Sequence, residues 1–215
     1  MRGKFLIFLF LFFSVFYAYS QIDKKAQNIL KGISSKYKSL KSIKANFSII
    51  IESEHDKTKQ TQNGTLYLKG SKYKLQIAGQ EIICDGLTRW TYVKDANEVQ
   101  IDNQKSDNNS ISPANLFTIY EKGWQSKFIG DIKVKKISFQ LIELVPIEAN
   151  SKNVFKIKLT VNAKEKTITS AKVFDKNGSI QTISIEKFIP DGANSDSFYV
   201  FKKDNYPGTE VVDLR

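Results

Sequence analysis

Acid–base, nucleophilic and metal chemistry each need particular side chains, and this 215-residue chain holds few of them. It has one histidine, His55, in the polar stretch Glu54-His55-Asp56-Lys57. Its one cysteine, Cys84, closes the apolar run Ile82-Ile83-Cys84. A histidine can act as general base or metal ligand, but among charged neighbours His55 reads as a surface loop residue. One cysteine cannot form an internal disulfide or hold zinc by itself. In an oxidising compartment an exposed lone thiol would be a liability, so Cys84 is expected to be buried and inert. The sequence contains no G-x-S-x-G, no P-loop and no G-x-G-x-x-G, so no motif points to a nucleophile elbow or a phosphate cradle. Two carboxylates suffice for glycoside hydrolysis, yet nothing in the spacing of Asp131, Glu143 and Glu148 selects a pair. The chain is therefore read as non-enzymatic, with no catalytic residue, no metal site and no cofactor; a hydrolase is the third of three readings.

The charge has its own chemistry. The formal net charge is +11, carried almost entirely by lysine. Beyond residue 20 the only arginines are Arg89 and Arg215. Nucleic-acid sites use arginine forks for phosphate and guanine, and no basic cluster is interleaved with aromatics, so nucleic acid is not an expected partner. Most lysines read as solvated faces of strands and of one helix. A role in meeting anionic surfaces stays open.

Whatever the chain binds must be positioned by strands. An amphipathic helix is predicted over 23–39: Ala26, Ile29, Leu30, Ile33, Tyr37 and Leu40 recur at three- and four-residue steps, and Asp23 can cap the start. From Ile43 the period changes to two. Ala45, Phe47, Ile49 and Ile51 alternate with polar residues, as do Tyr73, Leu75 and Ile77, then Phe155, Ile157, Leu159 and Val161. Val173, Ile183, Ile185, Phe198 and Val200 extend the series. Asn63-Gly64, Gly70-Ser71, Asp85-Gly86, Asn177-Gly178 and Asp191-Gly192 read as turns. Ten or eleven short strands so punctuated indicate an antiparallel meander, barrel or sandwich. One interruption, Ser112-Pro113 followed by residues 114–122, reads as a second helix that presents Leu116, Phe117 and Tyr120. Residues 102–110 before it read as a polar loop. A curled sheet with helices across its hollow side leaves an apolar cavity between them.

Residues 1–20 read as a secretory leader. Arg2 and Lys4 precede an apolar run over residues 5–16, and Ala18 and Ser20 stand three and one residues before the expected cut. The run is shorter than the ~20 residues of a membrane span. Cleavage after Ser20 is expected, leaving one domain over 21–215, with its formal charge lowered to +9.

Several segments carry a family resemblance. Cys84-Asp85-Gly86-Leu87-Thr88-Arg89-Trp90-Thr91-Tyr92 resembles the D-G-x-x-x-W-x-Y stretch of the LolA family of periplasmic lipoprotein carriers. Residues 29–47 resemble its first helix and strand, and residues 64–69 its next strand. Ser112-Pro113-Ala114-Asn115-Leu116-Phe117 resembles its Thr/Ser-Pro helix start, and residues 206–213 its Pro-Gly-x-x-Val-x-Asp ending. The resemblance implies an unclosed, mainly antiparallel half-barrel (an α+β fold) with helices over its concave face. It implies acyl chains of lipoproteins or other lipid as cargo, an inner-membrane donor complex and an outer-membrane acceptor, and a monomer in the periplasm. It places Tyr73 and Leu75 among cavity-lining positions, and Leu116 and Phe117 on the cover. Many members carry Arg-Pro or Lys-Pro after the second strand, where the arginine latches the lid. This chain has Lys69-Gly70-Ser71-Lys72, so Lys69 is the latch candidate, with a point charge in place of a fork.

The physical requirement on such a carrier is severe. At ~0.8 kcal/mol per methylene, an acyl chain of about sixteen carbons costs on the order of 12 kcal/mol to expose to water. An apolar cavity recovers that without directional bonds. Phe47, Ile49, Tyr73, Leu75, Trp90, Leu116, Phe117 and Tyr120 are the expected lining, and Leu75→Glu is expected to abolish binding while sparing the fold. A second reading is a periplasmic lipid or lipoprotein sensor that acts through a protein partner.

Overall fold

The computed structural model describes residues 23–53, 55, 57–104, 111–148, 152–192 and 194–215. The expected leader and its cleavage site lie outside these residues, as does most of the polar loop before Ser112.

Among the described residues, one α-helix and twelve strands make up the fold. Helix α1 (Lys24–Lys38) begins at Asp23, whose Oδ1 accepts from the Ala26 N–H at 3.0 Å. The other carboxylate oxygen of Asp23 accepts from the Phe128 N–H at 2.8 Å, so one side chain both caps the helix and pins it to a strand. The strands are β1 (Ile43–Ser53), β2 (Thr58–Lys69), β3 (Lys72–Ile77), β4 (Gln80–Cys84), β5 (Thr88–Val93) and β6 (Glu98–Asn103). They continue with β7 (Trp124–Val134), β8 (Ile137–Pro146), β9 (Val154–Asn162), β10 (Thr167–Asp175), β11 (Ser179–Pro190) and β12 (Glu210–Asp213).

All twelve form one sheet, in the order β12-β6-β5-β4-β3-β2-β1-β11-β10-β9-β8-β7. Two antiparallel meanders, β1–β6 and β7–β11, join where β1 pairs with β11, and only β12 of these strands runs parallel to its neighbour. The terminal strands β12 and β7 do not pair, so the sheet stays an unclosed half-barrel. This order forces a crossing. Strand β6 lies next to one edge and β7 is the other, so the chain between them must traverse the sheet. Residues 111–123 do so as a strap over the concave face, and Ile111, Leu116, Phe117, Ile119 and Tyr120 are buried in the same core as the inward side chains of the strands.

The strap is not the continuous helix that Ser112-Pro113 predicts. It consists of successive turns and one 3-10 turn, Ile119–Glu121. The Asn115 side chain accepts from the Ser112 N–H at 2.9 Å, and Thr118, at φ −132° and ψ −13°, departs from helical geometry. Phe198 and Val200, expected in a strand, lie in and just after the 3-10 turn Asp196–Tyr199. Asn63-Gly64 is not a turn either. It stands inside β2, with Gly64 directly opposite Phe47 of β1. A Cβ at Gly64 would strike the edge of the Phe47 ring and come within 2.5 Å of the Gln76 carbonyl oxygen. Glycine is needed there so that an aromatic ring can lie across the backbone. The other four turn signals hold: Gly70-Ser71 joins β2 to β3, Asp85-Gly86 sits between β4 and β5, Asn177-Gly178 lies between β10 and β11, and Asp191-Gly192 follows β11.

Candidate functional site

Cross-strand register decides which side chains share a face, because directly paired residues point the same way. Ala45 pairs with Leu66, and Leu66 with Leu75. In the other direction Ile49 pairs with Ile183, Ile183 with Ala171, Ala171 with Leu159 and Leu159 with Ile142. These residues form the concave, apolar floor. Across β4–β6 the same face turns polar: Leu75 leads through Ile82 to Thr91 and Gln100, and Tyr73 through Cys84 to Arg89 and Asp102. Arg89 and Asp102 form an ion pair at 3.0 Å. The apolar floor therefore ends near Tyr73.

Seven of the eight expected lining residues come together on this floor or its cover. Phe47, Ile49 and Leu75 are buried under α1 and the strap, which contributes buried Leu116, Phe117 and Tyr120. Tyr73 is half-buried at the margin, where its hydroxyl donates to Gln104 Oε1 at 3.4 Å and burial pushes its phenol up to about 12. Trp90 does not join them. It pairs with Ile83 and Ile101 on the opposite, convex face and stacks on Phe201 at 6.5 Å between ring centroids. Period two establishes alternation, but only the pairing to β3 fixes the side.

Lys69 likewise faces outward, since Leu66 and Leu68 point in. Its Nζ meets Asp196 Oδ1 at 2.7 Å and the Asn194 carbonyl at 3.5 Å, on the segment that covers the convex face. Lys72 reaches the other oxygen of Asp196 at 3.0 Å. The latch expected of Lys69 on the lid is thus a tie to the outer segment.

The ties of the cover are elsewhere. Tyr37 on α1 meets Phe117 on the strap edge to face, with ring centroids 4.9 Å apart, and both rings approach Phe188 of β11. The Tyr37 hydroxyl accepts from the Ile168 N–H of β10 at 2.7 Å in a buried setting, and burial drives that phenol well above its ordinary range. Glu121 of the strap accepts from Ser34 Oγ and pairs with Lys38 Nζ at 2.8 Å, both on α1. The Lys38 contact, then the Ser34 hydrogen bond, holds the Glu121 carboxyl below its ordinary value. By contrast Tyr120 Oη and Trp124 Nε1 are buried at this junction with no hydrogen-bond partner among the described residues.

Among the described residues the closed cover leaves grooves beside α1. A groove of about 550 Å³ runs between the helix and β8–β10, with Ile29, Ile33 and Val161 in its wall. A second, about 420 Å³, lies between α1 and the strap, bounded by Leu30, Tyr120 and Trp124. A third, about 260 Å³, opens by Tyr37, Leu40, Ile43, Leu68 and Phe117. Ligand sites span roughly 300–1,000 Å³. Ile29, Ile33 and Leu30 were legible as the helix's apolar stripe but not as wall residues, because a stripe is equally a packing face.

Asp131 pairs with Lys25 at 3.3 Å. Glu143 stands opposite Lys127 and Lys158 on the other face of the sheet from Gln140, the partner of Asp131. His55 is exposed between β1 and β2, and Cys84 is buried, with its thiol pushed up by that burial. Among the described residues no group of three or more histidines, cysteines or carboxylates converges.

An unclosed antiparallel sheet whose apolar hollow is covered by a helix and a crossing strap defines a LolA-like half-barrel. Residues 38–202 match the family described as outer membrane lipoprotein carrier protein LolA, and the chain belongs to that family. No curated protein matches it. Among solved structures it is similar to an uncharacterized conserved protein from Thermus thermophilus, at 10% identity and a TM-score of 0.57 over 88% of this chain and 99% of that one. A LolA superfamily protein from Nitrosomonas europaea aligns at 13% identity and a TM-score of 0.46 over 82% and 97% of the two chains. The Mycobacterium tuberculosis lipoprotein LppX aligns at 13% identity and a TM-score of 0.49 over 80% and 98%.

Proposed function

We propose that this protein is a monomeric, non-enzymatic periplasmic carrier, secreted with cleavage after Ser20, that holds the acyl chains of lipoproteins between its cover and the concave sheet. It takes them from an inner-membrane donor complex and yields them to an outer-membrane acceptor. The observation that carries this reading is the make-up of the interlayer: an apolar floor under a cover held mainly by apolar packing, with hollows along both flanks of α1.

The energetics suit reversible loading. The closed cover buries Leu30, Ile33 and Tyr37 from the helix and Leu116, Phe117 and Ile119 from the strap. At ~1.5–3 kcal/mol per large side chain, lifting them costs on the order of 10 kcal/mol. An acyl chain of about sixteen carbons returns on the order of 12 kcal/mol when it replaces them. Loading and release then stand close to balance. Phe47, Ile49, Leu75 and Tyr73 become floor contacts for the chain, and Leu116, Phe117 and Tyr120 become cover contacts.

The position of Leu75 corrects its use as a probe. A glutamate there would be buried in the core with the floor packed around it, which costs the fold itself. Ile29 is half-buried in the groove wall and is the better site. Ile29→Glu is expected to lower affinity for a fluorescent acyl probe at least tenfold while the unfolding temperature stays within a few degrees, and mass spectrometry of the wild-type protein purified from periplasm is expected to find bound acylated species. Wild-type affinity in the variant, with no acyl species bound to the wild type, would contradict the reading.

A further inference from the structure

The far tip of the β7–β8 hairpin carries an apolar patch beside a two-lysine turn, and we propose that it docks the protein on an anionic phospholipid surface. Val134 pairs with Ile137, and Ile132 with Phe139, on one side of the two-stranded ribbon. Val134 is 52% exposed and Ile137 48% exposed, although both are β-branched residues that strands normally bury. They project from the convex face, away from the interlayer: Phe139 stands three positions from inward-facing Ile142, and the period of two puts it on the other side.

The charge at the tip complements a lipid headgroup layer. Lys135 and Lys136 form the turn beside the patch, and both are exposed. Asp131, the nearest carboxylate along these two strands, is already paired with Lys25. Turn chemistry does not ask for this composition. Lys135 holds a left-handed φ of 56°, a conformation that asparagine or glycine takes more readily. Apolar side chains flanked by lysines satisfy both parts of an interfacial anchor, burial of the apolar tip and attraction to anionic lipid.

This surface is separate from the acyl-binding interlayer, so its test stands apart from the cargo reading. Flotation of the wild-type protein with vesicles of phosphatidylglycerol and phosphatidylcholine, against pure phosphatidylcholine, reads docking directly. Binding is expected to the anionic vesicles, to fall with added salt, and to be at least tenfold weaker on the neutral ones. Each lysine is worth about fivefold, ~1 kcal/mol, so Lys135→Gln and Lys136→Gln together lower affinity roughly 25-fold. Val134→Asp with Ile137→Asp lowers it at least tenfold. These positions are exposed, so the unfolding temperature and acyl-probe affinity of both variants are expected to match the wild type. Equal binding to both vesicle types, undiminished binding by either variant, or capture of a protein partner along β7 with no vesicle binding would overturn the proposal.

Discussion

Tyr37 and Phe117 meet edge to face with their ring planes at 90°, and through that contact helix and strap form one cover. Tyr37 also ties this cover to the sheet, because its hydroxyl is the acceptor for the buried Ile168 N–H. Tyr37→Phe keeps the ring and leaves that N–H without its acceptor. The unpaired donor costs ~1–3 kcal/mol, which for a chain of this size lowers the unfolding temperature by roughly 2–4 °C per kcal/mol. The loss falls on the closed state, so acyl-probe affinity is expected to rise. Thermal melts and probe titrations check both directions, and an unchanged melt would contradict the assigned tie.

Acid should loosen the strap. Glu121 has a folded-state pKa below its ordinary value of 4.5, through Lys38 first and then Ser34. A depressed carboxylate stabilises the fold fully above its unfolded pKa and loses that contribution as pH falls through the folded value. The α1–strap tie is therefore intact at neutral pH and is lost in the acidic range below about 4.5. Amide exchange of residues 115–121, corrected for intrinsic rates, is expected to accelerate there in the wild type. Glu121→Gln should be faster already at neutral pH and show no such step. A wild-type step that persists in the variant would assign it to another carboxylate.

Lys69 offers a test of which face is the lid. Its partner Asp196 belongs to the outer segment, and the Asp196 side chain is 63% exposed. Exposed ion pairs are worth about 0–1 kcal/mol. Lys69→Met is thus expected to shift stability by less than about 1 kcal/mol and to leave acyl-probe affinity unchanged. A several-fold change in affinity would return Lys69 to the role of lid latch.

The outcome for each of these residues shows what a sequence can carry. The apolar stripe of α1 and the alternation Ile43, Ala45, Phe47 and Ile49 were legible, since both are local periods set by one buried face. The side on which Trp90 falls was not, because it depends on a register passed through β3 and β4. Asn63-Gly64 carries a strong hairpin signal, yet its glycine answers to the Phe47 ring from another strand. Ser112-Pro113 is a sound helix start, and the strap does make single turns, with the Leu116 N–H bonded to Ser112 and the Ile119 N–H to Asn115, but Thr118 leaves helical geometry between them and no continuous helix forms. The outer clamp of Phe198, Phe201 and Tyr206 on Tyr67, Trp90 and Tyr92 was not legible, because the period-two reading of Phe198 and Val200 suggested a strand where the chain makes 3-10 turns.

The most direct test of the central claim is photo-crosslinking from the two faces of the sheet. A photoreactive phenylalanine analogue replaces Phe117 in one protein and Trp90 in another, and each is irradiated with a triacylated lipopeptide. The interlayer account predicts acyl adducts from position 117 and none from position 90, which lies across the sheet under Phe201. Adducts from position 90 with none from position 117 would contradict it.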